Sequence, residues 1–345
     1  MDTHIIERLS EIIADGEMDA KYVNVESEHS AMSVCLGAQA TGVRTFTASS
    51  SQGLALMYEM LYIVSGMHLP VVMVNANRAL SAPLNIWNDW SDSFGARDSG
   101  WIQLYCESAQ EALDTVIQAY KIAEHAKVRL PVMVCIDGFF LSHVYEPVDI
   151  PDANTVGKFL PKFAGPVIDF EKPVSQGMWA GPEVYQEFKK EQNDAMERSI
   201  EVIHEVNKEF KEQFGRGYGD GLIETFNMEN AKYALITMGS LAGTAKHVIR
   251  EHKIHDVGLI RIKSFRPFPF AEIKNAIKNV HALGVLEKVL SPGLGGALCH
   301  EVRGTVKTKN VSSFIGGLGG RDVKIDDFMK IFDDIRKETK GTVWV

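Results

Sequence analysis

Very little in this sequence could hold a metal ion. The four cysteines, Cys35, Cys106, Cys135 and Cys299, lie far apart and no CxxC pair occurs, so neither a zinc site nor an iron–sulfur cluster is signalled within the chain. Each sits in an apolar or strand-like setting and reads as a buried, reduced thiol. Long apolar runs are missing too. The richest stretch, 54–74, is interrupted by Glu59, Gly66, His68 and Pro70, short of the roughly 20 consecutive apolar residues a membrane helix needs. There is no basic surplus: the net charge is -9 and no long basic run occurs, which argues against nucleic acid as a partner. The amino terminus, MDTHIIERLSEIIADGE, is acidic and amphipathic rather than a signal peptide, so a cytoplasmic protein is expected. HExxH, GxSxG and P-loop motifs are all absent.

What is present is organised around Tyr22 to Gly53. Val23 and Val25 suggest a short strand, and the chain then turns through Glu26, Ser27 and Glu28. From His29 to Ala40 small and apolar residues predict a closely packed helix that stops at Gly42. Arg44 to Ala48 has the composition of a strand, and the polar run Ser49, Ser50, Ser51, Gln52, Gly53 follows at its carboxyl end. In open parallel sheets ligands lie beyond the carboxyl ends of strands, where helix amino termini offer unpaired N–H groups. Both turns are therefore candidate sites.

The 345 residues are enough for two domains. An amphipathic helix ends near Gly16. After Gly53 come a helix over Leu54–Ser65, a strand PVVMVNAN, a long loop from Arg78 to Gly100, a strand Trp101–Cys106, a helix Ala109–Ala126 and a strand Pro131–Gly138. This alternation predicts a doubly wound α/β unit over 1–150. Trp87, Trp90 and Phe94 argue that the long loop is folded, and its Asp89, Asp92 and Arg97 look like a pocket wall. A connector and one long charged helix, Pro182–Phe214, occupy 151–230. At Ala231 a second, smaller and independent α/β unit is expected to begin; it includes a strand over VGLIRIKSF and ends in a helix and a short apolar tail at 345.

Two residues carry readings that sequence leaves open. Glu28, with Glu26, either complements a helix dipole, worth about 0.3–1 kcal/mol, or is a carboxyl held in an apolar site, with a raised pKa, to share a proton with a ligand nitrogen. Arg78 leaves a buried strand and either forms a surface salt bridge or grips a carboxylate in two parallel hydrogen bonds, with Asn77 beside it. Gly219-Asp220-Gly221 spells GDG, but no Asn pair stands at a suitable distance, and it reads as a flexible turn. Gly293, Gly295 and Gly296 are weak evidence for a phosphate cradle.

The runs VESEHSAMS, TASSSQGLALM, NRALSAP, WNDWSDSFGARDSGWIQLY, PVMVCIDGFFLSH, ITMGSLAGTAK and IKSFRPFPF together resemble the α subunit of the 2-oxoacid:ferredoxin oxidoreductases, of the pyruvate type. The likeness runs almost end to end. It implies a pyrimidine-type thiamine diphosphate domain followed by a transketolase C-terminal-like domain. The implied reaction is coenzyme A-dependent oxidative decarboxylation of pyruvate to acetyl-CoA and carbon dioxide, with ferredoxin as electron acceptor. It further implies that the cofactor is shared with a β-type subunit bringing the magnesium site, and that [4Fe-4S] clusters sit on partner chains, with γ- and δ-type subunits in the complex. Glu28 matches the glutamate that hydrogen-bonds the aminopyrimidine ring, with Ser51, Gln52 and Gly53 beside the cofactor, and Arg78 matches the arginine that binds the substrate carboxylate. Two departures stand out. The family's first strand and YPITP loop would precede Thr3, so the sheet is expected to lack a strand, and Trp90 stands where relatives carry His. A branched-chain or aryl 2-oxoacid, or a non-catalytic assembly role, is the alternative.

Overall fold

The computed structural model describes residues 3–306 and 310–345. α1 (Thr3–Ala14) carries Ile5, Ile6, Leu9, Ile12 and Ile13 at helical spacing. α2 (Glu28–Ala40) is capped by the Ser27 hydroxyl, which accepts from the Ser30 N–H, and buries Met32, Cys35, Gln39 and Ala40. The strand expected over Tyr22–Val25 does not form. Residues 19–25 have no ladder partner among the described residues, and Tyr22 and Val23 are exposed. So short an alternation gains too little from its side chains to hold as a strand without a neighbour.

β1 (Phe46–Ser49), α3 (Gln52–Leu56), α4 (Tyr58–Gly66) and β2 (Val72–Asn77) follow. Met57 caps α3 and opens α4, so the single helix expected over Leu54–Ser65 is two. Next come α5 (Ser91–Gly95), β3 (Ile102–Tyr105), α6 (Ala109–Glu124) and β4 (Val132–Asp137). These strands pair in parallel in the order β1-β2-β4-β3. Every residue of β2 and β4 is buried, as their nearly continuous apolar sequence demands of central parallel strands. α7 (Ala153–Phe159) lies in the connector. α8 (Tyr185–Phe214) buries Val202, Ile203, Val206 and Phe210 on one face and ends at Gly215 in a left-handed cap.

The second sheet takes β5 (Ile223–Phe226), β6 (Tyr233–Thr237), α9 (Leu241–Glu251) and β7 (Val257–Ile262). The chain continues through β8 (Ser264–Arg266), α10 (Phe270–Ala276), β9 (Ala282–Glu287), α11 (Ala297–Thr305), β10 (Asn310–Ile315), α12 (Ile325–Arg336) and β11 (Thr342–Trp344). Its order is β11-β10-β9-β6-β7-β5, with only β5 antiparallel to its neighbour. β5 precedes Ala231, and the expected apolar tail is the edge strand β11. The GDG turn that leads into β5 is fixed rather than flexible: Asp220 Oδ1 accepts from the Leu222 and Ile223 N–H groups, each at 2.8 Å.

The run VGLIRIKSF splits at Lys263, and β8 crosses to pair antiparallel with β3 at the edge of the first sheet. The second unit is therefore not independent of the first. One apolar cluster runs from Met32, Leu61 and Trp90 through Leu235 and Leu283 to Phe332. Buried charges cross the same boundary. Glu111 on α6 accepts from Arg261 at 2.7 and 3.0 Å and from Lys263 at 2.7 Å. Burial acts to raise the Glu111 carboxyl, but the two cations outweigh it and hold it down at about 2. Among the described residues no helix is long and apolar enough to cross a membrane.

Candidate active site

The carboxyl ends of β1 and β2 are adjacent, since Ser49 pairs with Asn75 in register. The polar turn after β1 and the Arg78 loop after β2 therefore leave the sheet side by side. This is where an open parallel sheet offers room for a ligand.

On the β1 side, Glu28 is the first residue of α2 and its side chain reaches the turn, but at the helix start it is exposed to solvent rather than held in the apolar setting expected. A Cβ placed on Gly53 would lie 2.7 Å from Ser49 Oγ, 2.8 Å from Glu28 Oε1 and 3.0 Å from Glu28 Cγ, so only glycine lets these groups meet. Glu26 and Glu28 part company here. The Ser30 hydroxyl donates to Glu26 at 2.5 Å and holds that carboxyl below its ordinary range, whereas Glu28 turns toward Ser49. Ser49 is buried, and its hydroxyl has no hydrogen-bond partner among the described residues. A buried orphan of this kind calls for a bound group or water. Ser51 is fully buried and sits at φ 52, ψ -122, an unfavourable conformation for a residue with a Cβ. Its hydroxyl donates to the Ala79 carbonyl at 2.5 Å and lies 2.5 Å from Gln52 Oε1. That bond ties the turn after β1 to the Arg78 loop.

On the β2 side, the Arg78 guanidinium makes no ion pair among the described residues, and its buried Nε has no acceptor. The surface-salt-bridge alternative is not what the fold builds. Asn77 is buried and its side-chain amide donates to Asp92 Oδ1 at 2.9 Å and to Ser93 Oγ at 2.5 Å, leaving the side-chain oxygen Oδ1 unpartnered among the described residues.

The expected pocket wall is differently arranged. Asp92 lies beneath the site, fully enclosed, where burial raises its carboxyl against the hydrogen bonds from Ser51 and Arg78 that lower it. Asp89 is buried as well. It accepts from the Ser91 N–H at 2.9 Å and hydroxyl at 2.5 Å, and burial pushes its carboxyl upward. Arg97 points elsewhere: its contacts are the Phe94 carbonyl at 3.3 Å and Asp98 at 3.7 Å. A periodicity argument sees acids in a loop but not which of them the loop folds over.

Sequence reasoning missed the clamp that closes this loop. Trp90, one of the aromatics expected to fold the loop, is fully buried and donates through Nε1 to Asp137 Oδ1 at 2.8 Å. Asp137 Oδ2 takes Lys288 at 3.0 Å and the Ser240 N–H at 2.9 Å, so β4, β9 and the start of α9 meet there. Burial would raise the Asp137 carboxyl, but Lys288 and the hydroxyl and indole donors leave it below its ordinary value. The one visible signal was an aspartate closing a buried strand. The glycine cluster near α11 is not a phosphate cradle. The Glu287 carboxylate already occupies that helix terminus, accepting from the Leu298 and Cys299 N–H groups at 2.7 and 3.0 Å.

A doubly wound parallel sheet joined to a second, mostly parallel α/β sheet defines a class of α/β protein with its candidate site at the strand ends, and comparison with known proteins identifies the family. Residues 2–208 match the family described as "Pyruvate flavodoxin/ferredoxin oxidoreductase, thiamine diP-bdg", and residues 231–328 match "Pyruvate:ferredoxin oxidoreductase core domain II". The chain belongs to the pyruvate flavodoxin/ferredoxin oxidoreductase family. It is 54% identical to pyruvate synthase subunit PorA of Methanocaldococcus jannaschii over 99% of this chain and 90% of that one. It is also 43% identical to the ketoisovalerate oxidoreductase subunit VorA of Pyrococcus horikoshii, over 97% of this chain and 86% of that one. Among solved structures, the 2-oxoglutarate:ferredoxin oxidoreductase of Magnetococcus marinus shares the fold, with a TM-score of 0.71 at 18% identity. The match covers 98% of this chain and 60% of that longer one.

Proposed function

We propose that this chain is the α subunit of a pyruvate synthase, working in the cytoplasm and active only in a complex with partner subunits. The reaction is the reversible, coenzyme A-dependent oxidative decarboxylation of pyruvate, with electrons passing to ferredoxin through iron–sulfur clusters on other chains. The observation that carries this reading is the pairing of Glu28, packed against the Ser49–Gly53 turn, with an Arg78 guanidinium that has no acid partner among the described residues. The residues present suit thiamine diphosphate: an orphaned buried hydroxyl at Ser49, a cradle at Gly53 that a Cβ would fill, and one carboxylate at a helix start.

When bound, thiamine diphosphate supplies the carbon nucleophile and the electron sink for decarboxylation. Glu28 would hold the proton shared with the cofactor's ring nitrogen, and Ser49 and the main chain of Ser51 to Gly53 would fix the turn beside it. Arg78 receives the carboxylate of the 2-oxoacid. Its Nε is already dehydrated, so the charge-assisted hydrogen bonds form at little further desolvation cost. A partner β-type subunit brings the diphosphate and magnesium site. VorA's similarity keeps a branched-chain 2-oxoacid as the second reading of substrate.

The test uses the complex assembled from this chain and its partners. Glu28→Ala is expected to abolish turnover while leaving the assembled mass unchanged, and near-normal turnover would overturn the assignment. Arg78→Ala is expected to raise the apparent KM for the 2-oxoacid by at least about tenfold.

A further inference from the structure

Asp92 accepts five hydrogen bonds beside the site, yet no step described above uses it. Its Oδ2 accepts from the Ser51 N–H at 2.9 Å, the Arg78 N–H at 3.0 Å and Asn75 Nδ2 at 3.1 Å. Its Oδ1 accepts from Asn77 Nδ2 at 2.9 Å and its neighbour Ser93 N–H at 2.7 Å. All of these partners are donors, and they come from the turn after β1, from β2, from the loop after β2 and from α5. Only an acceptor with two equivalent oxygens satisfies such a set. An asparagine of the same shape would turn two N–H bonds toward groups that are themselves donors.

We infer that Asp92 is the positioning residue that aims Arg78 at the substrate carboxylate and locks the substrate-side loop to the cofactor-side turn. The inference rests on the reading of Arg78 given under Proposed function. Its strongest support is which part of Arg78 the carboxylate takes. Asp92 binds the backbone N–H and forms no ion pair with the guanidinium among the described residues. An acid touching an arginine would ordinarily neutralise it; here it fixes the main chain and leaves the cation available. The same oxygen holds the Ser51 N–H, in the strained turn two residues before Gly53, which touches Glu28. Asp92 thus sets the distance between the two halves of the site without facing either ligand. The interaction that would be lost is charge-assisted and buried, so truncating it moves the loop rather than opening a cavity.

The experiment compares wild-type, Asp92→Asn, Arg78→Ala and the double variant, each in the assembled complex, by initial rates over a range of 2-oxoacid concentrations at saturating coenzyme A and thiamine diphosphate. For Asp92→Asn the inference expects the apparent KM to rise about ten- to a hundredfold with kcat changed by less than about threefold. In the double variant the KM should be no higher than in Arg78→Ala alone, because a residue acting through Arg78 has nothing left to lose once the guanidinium is gone. Unchanged KM in Asp92→Asn, or effects that multiply in the double variant, overturns the inference. If Asp92→Asn does not assemble, Asn75→Ala decides. It removes one donor and keeps the carboxylate, so a raised KM supports the inference and an unchanged one refutes it. Should Arg78→Ala itself show a normal KM, the substrate reading and this inference fall together. A raised KM in Arg78→Ala with a normal one in Asp92→Asn sinks this inference alone.

Discussion

Alanine at position 53 would displace Glu28 without replacing it. Gly53 lies inside α3 and its φ is not in the left-handed region, so the backbone accepts a side chain there and gains up to about 1 kcal/mol of helix propensity. The added methyl would stand 2.8 Å from Glu28 Oε1 and 2.7 Å from Ser49 Oγ. To reach ordinary van der Waals separation these atoms must retreat by about 0.5–1 Å. Glu28 is exposed in this chain, so its carboxylate can swing away at small cost, and the Ser49 hydroxyl can rotate. Stability of the Gly53→Ala chain should therefore stay within about 1 kcal/mol of wild type. Catalysis should not: a misplacement of about 1 Å in a reacting group costs on the order of a hundredfold. The assay is turnover of the assembled enzyme beside its thermal midpoint. A Gly53→Ala enzyme with wild-type turnover would refute the placement of Glu28 against this turn as the working arrangement.

Two further predictions concern buried carboxyls outside the site. Glu111→Gln leaves Lys263 buried without its acid and Arg261 with only Glu224 and Glu107, at 2.8 and 3.2 Å, and should cost up to about 3–5 kcal/mol in chemical denaturation; a loss below about 1 kcal/mol would contradict it. Glu111 is held at about 2 in the folded chain, so its contribution is present above the ordinary carboxyl range and is lost as pH falls from about 4.5 through about 2, a limb that Glu111→Gln should lack. Glu287 behaves in the opposite sense. Burial pushes its carboxyl up to about 8 despite two backbone donors, so the folded state favours the protonated form. Stability should fall as pH rises from about 4.5 to 8, and Glu287→Gln should flatten that slope; parallel curves for the two proteins would show that Glu287 is not the titrating group.

The parts of the fold that sequence made legible are those set by local pattern. β2 and β4 could be read because strands buried on both faces must be apolar throughout, and α8 because charge surrounds one narrow stripe. The turn through Glu26, Ser27 and Glu28 marks where α2 begins, and Ser27 proves to be its cap. What failed depended on neighbours. Val23 and Val25 alternate like a strand but have no partner, and the continuous run around Lys263 gives no hint that β8 leaves one sheet for the other. The candidate site shows the same division. Glu28, Ser51 to Gly53 and Arg78 occupy positions that turn and strand signals single out. Asp92 and Trp90 could be seen as residues of one folded loop, but their roles depend on partners 41 and 47 residues away in sequence. Ser49 is notable only for a bond it lacks, which no sequence displays.

The most direct measurement is made on the complex purified with this chain in place: its iron–sulfur absorbance recorded under anaerobic conditions before and after adding pyruvate and coenzyme A together. If this chain is the catalytic α subunit, pyruvate should bleach the clusters of the wild-type complex and leave those of the Glu28→Ala complex of the same subunit composition unchanged. Clusters that ignore pyruvate, or that bleach equally in the Glu28→Ala complex, would contradict it.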